Sequence, residues 1–589
     1  MTATHLRLPT ALAAGLVVLN ALACGGPEPE PPVVVDETSR RTLAQGEIVG
    51  FTGGGAQVWL GIPFARPPTG ALRWRAPRPP EPWTGTREAL AFGESCMQFA
   101  GPIGAPEGVE PGQPTGSEDC LTLNVFAPKV GPDAVPRGPD RWPVLLWIHG
   151  GGNTIGDARP FDGKVLAGEH DVVLVTVHYR LGAFGWFAHE ALRAGETSPE
   201  DLSGNYGTLD QIRALEWVRD NIAAFGGDPE RVTIFGESAG GSDVFALLQS
   251  PRAAGLFHRA ISQSGSTRGT AMAEAEELRE EPDERGPHTS NELLVALRIA
   301  DDRAPDRDSA RAQIAELSGA EISAYLRGKT AAEIMGPLAG SGLGGMYRWP
   351  ENLRDGFVLP SREPMESYEQ GEYNRVPVIV GSNRDEAKLF LLFGSDYVRR
   401  VFGIPLWVSN PRMYLLAADY QSQLWKVRGV DAPARAMRAA QGPTVYAYRF
   451  DWDEEPKVLF LDLGRYLGAA HAIELPFVFG RLDLGRATRL LFDEDRMPAA
   501  EALSASMVSY WTRFAATGDP GRGRDGSLPP WLAWDESTAE SGRFMVFDTE
   551  ADGGLRMSSE AVTRAGVLAR LAADDDFADE QERCAFYRS

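Results

Sequence analysis

Three runs of consecutive apolar, β-favouring residues punctuate the chain at 144–148 (VLLWI), 172–177 (VVLVTV) and 232–235 (VTIF), each bounded by polar or glycine-rich text. A strand with one wet face alternates, whereas a strand buried on both faces does not, so these runs predict the interior of a parallel sheet covered by helices. Between the second and third runs, Leu209, Ile212, Leu215, Val218 and Ile222 recur at three- and four-residue steps, with Asp210, Arg213, Glu216 and Arg219 opposite. That spacing predicts one amphipathic helix. Strand, helix, strand is an α/β pattern, and its parallel strands need a right-handed crossover. Residues 121–126 alternate as a strand, and further strands are predicted at 376–380, 445–450 and 544–547, with helical text between and no internal repeat.

The first forty residues break this pattern. His5 and Arg7 precede an apolar stretch at 12–22 that ends in small residues and Cys24 and runs into GGPEPEPPVVV. It is too short to span a bilayer with such flanks, and predicts a signal peptide over 1–23. A cysteine at that point, before a Pro/Glu-rich tether, resembles a bacterial lipoprotein start with Cys24 as the lipid-bearing residue, although Ala21 stands where that motif prefers a larger aliphatic. Residues 24–41 read as a proline-rich linker, and 42–589 as the folded domain. Residues 270–310, which include AEAEELREEPDER, read as a solvated helix and loop, with a mobile lid as the alternative.

Composition narrows the partners. With 81 acidic against 58 basic residues the net charge is -23, which repels nucleic acid, and 43% apolar residues are ample for a large core. Of the four cysteines, Cys96 and Cys120 form the natural pair if Cys24 carries lipid in an oxidising compartment, leaving Cys584 over; the alternative is that all four are reduced. The chain is therefore expected to be exported, as a periplasmic, cell-surface or secreted protein, with lipidated Cys24 as a possible membrane anchor.

The chemistry centres on VTIFGESAGGS at 232–242. Ser238 lies where the strand turns into a helix, flanked by Gly236 and Gly240 in G-x-S-x-G spacing, which holds a hydroxyl at a strained corner facing substrate. With 65 glycines in the chain the pentapeptide alone carries little weight. A serine needs a base and a group to orient the base, and on this kind of turn the order is serine, acid, histidine. His258, His288 and His471 follow Ser238. His258 leaves Asp243 as the only intervening acid, one turn into the same helix; His288 sits in the charged segment; His471 sits between small residues and an apolar run, suiting a loop pinned to the core. Glu386 follows a predicted strand, at the edge where open α/β sheets bind ligands, and Asp385 is its rival. Upstream, the run at 144–148 leads into His149, Gly150, Gly151 and Gly152, which frees backbone N–H groups for an oxyanion.

In GIPFARPPTGALRW, SEDCLTLNVFAP, HGGG, HYRLGAFGWF, GNYGTLDQIRALEWVRDNIAAFGGDPERVTIFGESAGG, FHRAISQSG and HAIELPFVFG, from about residue 46 to Cys584, the chain resembles the type-B carboxylesterases, the carboxylesterase/cholinesterase family of α/β-hydrolases. The resemblance implies that fold, with a large mostly parallel twisted sheet, helices on both faces and inserted cap-like segments. It implies a serine carboxylic-ester hydrolase acting on small-molecule esters without a metal or other cofactor. By position it implies Ser238 as nucleophile, His471 as base and acid, Glu386 as orienter, and Gly151, Gly152 and Ala239 as the oxyanion hole. It also implies a Cys96–Cys120 bridge, a bond from Ser264 to the triad acid, structural ion pairs Arg73–Glu118 and Arg180–Asp210, and Leu389 and Phe390 in an acyl pocket, with core packing the equal alternative for these two. Asn153 stands where relatives commonly have an aromatic, and Ala387 where they have glycine. The loop from Cys96 to Cys120 lacks the tryptophan with which cholinesterases bind quaternary ammonium, disfavouring choline esters. Amide or carbamate hydrolysis by the same triad, and a non-catalytic binding or adhesion module on the same fold, are the rival readings.

Overall fold

The structure, a computed structural model, describes residues 33–101, 109–281, 286–338, 343–401, 404–458, 460–482, 491–537 and 542–588. The signal peptide and Cys24 lie outside the described residues. Eleven strands form one sheet: β1 (Phe51–Gly53), β2 (Ala56–Pro63), β3 (Thr122–Pro128), β4 (Trp142–Ile148), β5 (Val173–Val177), β6 (Gly227–Glu237), β7 (Arg259–Gln263), β8 (Val378–Asn383), β9 (Val445–Phe450), β10 (Phe544–Phe547) and β11 (Arg556–Ser558). Their spatial order is β11-β10-β9-β8-β7-β6-β4-β5-β3-β2-β1. Pairs from β5 through β4 and β6 to β10 are parallel, and both margins are antiparallel.

The apolar runs behave as two-sided strands. In β4, Val144, Leu146 and Ile148 enter one core while Leu145 and Trp147 enter the other. On the first face lie α1 (Tyr206–Asn221) and α2 (Ala239–Gln249), with Leu209, Ile212, Leu215, Val218 and Val244 in the core. The second face is covered by α4 (Ala387–Gly394), α5 (Pro411–Lys426) and α7 (Met497–Thr517). Each strand of the centre thus removes side chains from water on both sides, at about 25 cal/mol per Å² of apolar surface.

Three expectations change. Asp210, placed on the polar face of its helix, is fully buried because α1 is covered nearly all round, and there it forms the expected pair with Arg180 through two bonds of 2.7 and 2.8 Å. The linker is shorter than 24–41, since Asp36 caps a short helical turn at Glu37–Ser39 and Ser39 is buried, donating to the Asp36 carbonyl. The 270–310 segment is a solvated helix and loop only in its first part, where residues 277–281 are exposed and 282–285 lie outside the described residues: α3 (Ser290–Ala300) buries Leu293, Leu294 and Leu297 against Phe184, Phe187 and Leu326. Cys96 and Cys120 are joined by a disulfide, and Arg73 pairs with Glu118 at 2.5 Å. No helix among the described residues is long and apolar enough to cross a membrane.

Candidate active site

The order of the sheet decides where a site can form. From β4 the chain steps outward to β5, then crosses back to place β6 on the other flank of β4. A crevice opens beyond the carboxyl ends of neighbouring strands at such a reversal. The loop after β4 is HGGG, and the residue after β6 is Ser238.

Ser238 joins β6 to α2 with φ 58° and ψ −121°, a conformation that costs a non-glycine residue on the order of 1–3 kcal/mol. Its N–H donates to the Gln263 carbonyl at 2.9 Å, and its carbonyl accepts the Ser242 N–H at 3.0 Å, so both ends of the turn are held. Gly240 is required by proximity: a Cβ there would lie 2.1 Å from the Ile148 carbonyl oxygen, on the neighbouring strand. This strand-turn-helix with its serine at the switch point defines an α/β-hydrolase of the serine class.

Beside it, Gly151 (φ 111°) and Gly152 (φ 61°) turn the HGGG loop back on itself, and the Gly151 carbonyl accepts from the Thr154 and Ile155 N–H groups. Among the described residues, the N–H groups of Gly151, Gly152 and Ala239 donate to no protein acceptor, and Gly152 and Ala239 line the same cavity as Ser238. His149 is buried, its Nδ1 donates to the Gly150 carbonyl at 2.9 Å, and burial pulls it down to about 4, which keeps it neutral. Asn153 is an anchor. Its amide donates to Asp243 at 2.9 Å and Glu351 at 2.8 Å, and its oxygen accepts from Tyr179 at 3.2 Å.

On the opposite side of Ser238, His471 Nδ1 lies 2.5 Å from Glu386 Oε2, and the Asn383 N–H donates to Glu386 Oε1 at 2.8 Å. Glu386 is fully buried at the end of β8. Asp385, its rival, turns away to Arg384 and Lys388 at 2.9 and 3.0 Å. His258 sits at the other end of the sheet, where its Nδ1 accepts from the Val232 N–H at 3.3 Å. The imidazole of His471 packs against Trp425 and Phe390, at 4.8 and 5.1 Å between ring centroids. No hydrogen bond joins Ser238 to His471; instead Nε2 lies 3.1 Å from Oε1 of Glu237, the residue before the serine, outside hydrogen-bonding geometry. The imidazole thus lies beside the residue that precedes Ser238, and a base–hydroxyl contact commonly forms or tightens only with substrate present.

Two expected residues do other things. Ser264 does not bond the acid: its hydroxyl is buried with no hydrogen-bond partner, because Glu386 is already engaged by His471 and the Asn383 N–H. Leu389 is not on the cavity wall and packs into the core on the second face, while Phe390 and Ala387 do line the cavity. The cavity holds about 800 Å³ and runs from Ser238, Ala239 and Ser264 outward past Trp425 and Leu424 to Arg268, Arg428, Arg564 and Tyr587.

Sequence reasoning passed over the buried carboxylates. Glu237 and Glu474 join Glu386 around the imidazole, with Asn383 Nδ2 donating to Glu474 at 2.6 Å. Burial pulls the His471 imidazolium down, but the charges of Glu237, Glu386 and Glu474 outweigh it and push the group up to about 9. Burial, with Glu474 and Glu386 adding, pushes Glu237 up to about 8 against the pull of His471. The signal was adjacency: Glu237 precedes the nucleophile, and Glu474 follows His471 by three residues. Nothing in their spacing marked them as buried.

The carboxylesterase family profile matches residues 37–401 and 416–564. The para-nitrobenzyl esterase of Bacillus subtilis (strain 168) is 34% identical over 523 residues, covering 86% of this chain and 94% of the relative. Human carboxylesterase 3 is 32% identical, covering 90% and 91%. Among solved structures, a PNB esterase superposes with a TM-score of 0.63 at 30% identity over 88% of this chain and 97% of that one; a Geobacillus stearothermophilus carboxylesterase gives 0.61 at 31%. The chain belongs to the carboxylesterase family and is a serine carboxylic-ester hydrolase.

Proposed function

We propose that Ser238 attacks the ester carbonyl while His471 accepts its proton, that Glu386 orients and stabilises the imidazolium, and that Gly151, Gly152 and Ala239 receive the oxyanion. The imidazole then hands its proton to the leaving alcohol, and the acyl-Ser238 intermediate is cleaved by water activated by the same base. The observation that carries this reading is the 2.5 Å contact between His471 Nδ1 and the buried, backbone-anchored Glu386, with Nε2 3.1 Å from Oε1 of Glu237, the residue before Ser238. The three N–H groups without acceptors support the oxyanion role, since each such donor is typically worth about 3 kcal/mol in the transition state.

The test is rapid mixing with a p-nitrophenyl ester. A burst of nitrophenolate equal to the enzyme concentration is expected, together with stoichiometric fluorophosphonate labelling, both lost in Ser238→Ala; full turnover by that variant would remove Ser238 from the mechanism. Small esters of the para-nitrobenzyl kind, after the relative's name, belong among the substrates to try first.

Export through the 1–23 signal, with lipid on Cys24, is part of the same proposal. The Cys96–Cys120 bridge supports an oxidising compartment. Mass spectrometry of the N-terminal peptide from the native host should find a lipid-modified Cys24, and an intact, unmodified Met1 start would refute it.

A further inference from the structure

Three guanidiniums line the outer part of the cavity that holds Ser238: Arg268, Arg428 and Arg564. They come from three separate places in the chain, the turn after β7, the residues just beyond α5, and the first turn of α8 (Arg564–Ala573). In an acidic chain a carboxylate partner is easy to find, and most arginines have one: Arg73, Arg75, Arg180, Arg307, Arg435 and Arg449 each pair within 3 Å. These three do not. Among the described residues none lies within ion-pair distance of a carboxylate, and their only guanidinium hydrogen bond is Arg428 Nε to the Leu424 carbonyl at 3.2 Å, within its own chain turn. Burial and then the charges of Arg268 and Arg564 pull Arg428 below its ordinary value, so the three repel one another across the opening.

The one carboxylate on the described wall of this cavity is Glu351, and it does not neutralise them. Its Oε2 accepts from Asn153, and burial together with Asp243 pushes it up to about 7 against a pull from Arg268. The same cavity is lined by the apolar side chains of Leu424, Trp425 and Phe390, beside Ser264, Ser266 and Gln421. An unmatched positive cluster at the open end of an apolar passage costs stability through mutual repulsion, and forked guanidinium donors suit a planar carboxylate.

We propose that this enzyme selects esters that carry a carboxylate at the end remote from the scissile bond, held by Arg268, Arg428 and Arg564 while the apolar spacer passes Trp425 and Leu424. The proposal rests on Ser238 as the nucleophile at the inner end. Such substrates are half-esters of dicarboxylic acids, or esters of carboxylate-bearing alcohols and phenols. The cluster draws them toward an otherwise repulsive, strongly acidic protein.

The experiment compares p-nitrophenyl hemiglutarate with p-nitrophenyl valerate, a neutral ester of the same length, in the wild type and in R268Q/R428Q/R564Q. A second pair, 4-acetoxybenzoate against phenyl acetate, moves the charge to the alcohol side. The ratio of kcat/KM for charged over neutral ester is expected to fall about tenfold in the triple variant, through KM, in at least one pair. The wild-type ratio should also fall between about 20 and 200 mM salt, and the variant's should not. A ratio unchanged in both pairs, or a wild type that favours the neutral ester in both at low salt, would overturn the proposal while leaving the esterase mechanism intact. A wild type that hydrolyses none of the four and fails to take fluorophosphonate at Ser238 would instead overturn the mechanism, and this inference with it. Arg428→Gln alone should give an intermediate ratio, which separates charge recognition from damage to the fold.

Discussion

Ser238 stands between two groups of wholly or partly buried carboxylates whose neighbours differ in kind. On one side Glu386, Glu237 and Glu474 surround an imidazole; on the other Asp243 and Glu351 surround the amide of Asn153. Burial raises Asp243 to about 6 and Glu351, which also lines the cavity, to about 7. The first group contains a base that can take up a proton, and its negative charges raise the affinity of that base for it. The second contains only neutral donors. Asn153 and Asn352 both donate to Asp243 Oδ1 at 2.9 Å and Gln211 to Oδ2 at 2.6 Å, which satisfies an ionised acceptor without creating an acid-base pair. In the proposed mechanism, that difference assigns the carboxylates of one flank to the chemistry and those of the other to positioning the HGGG loop through Asn153.

The largest expected effect lies on the imidazole side. Glu386→Gln keeps the shape but removes the charge that stabilises the imidazolium, and kcat should fall on the order of 10⁴-fold with thermal unfolding little changed. A drop of less than tenfold would mean that Glu386 only packs. On the amide side, Asp243→Asn sets a donor against donors; a loss of about 1–3 kcal/mol in unfolding free energy is expected, with a slower acylation step as the HGGG loop loosens. If stability holds and kcat alone collapses, the two flanks are not distinct.

A smaller effect tests the tuning. The proposed mechanism needs neutral His471, whose affinity for a proton is raised above the ordinary 6.5 by nearby carboxylates. The acid limb of kcat/KM should therefore lie above pH 6.5. Glu237→Gln removes a negative charge 3.1 Å from Nε2, weakens proton binding, and should move that limb to lower pH by about one unit. A shift to higher pH would contradict the assigned sign. The smallest effect belongs to Ser264→Ala: a buried hydroxyl without a partner contributes nothing to Glu386, so kcat should change by less than about twofold and stability should hold or rise slightly. A loss comparable to Glu386→Gln would return Ser264 to the acid.

Much of this was legible in the text. The strands at 144–148, 232–235, 445–450 and 544–547 stand where their apolar runs put them, because a run without alternation has no stable place except between two covered faces. Chain order together with local text singled out His471 as the base, whereas the choice of Glu386 over its neighbour Asp385 came from the family resemblance. The Arg180–Asp210 pair came from the resemblance and stands, whereas the second half of the 270–310 segment was misjudged because charge in sequence says nothing about what packs over it: a core of phenylalanines and leucines receives α3.

By itself the sequence determined the alternation of strand and helix, the turn at Ser238 and the identity of the groups that can react, because local periodicity and glycine sterics act over a few residues. Only the tertiary structure decided which acids surround the imidazole, that Ser264 stands apart from Glu386, and that Arg268, Arg428 and Arg564 meet at one opening. Those outcomes depend on the strand order that brings residues more than a hundred positions apart to one edge of the sheet, and on the burial that makes each neighbouring charge count.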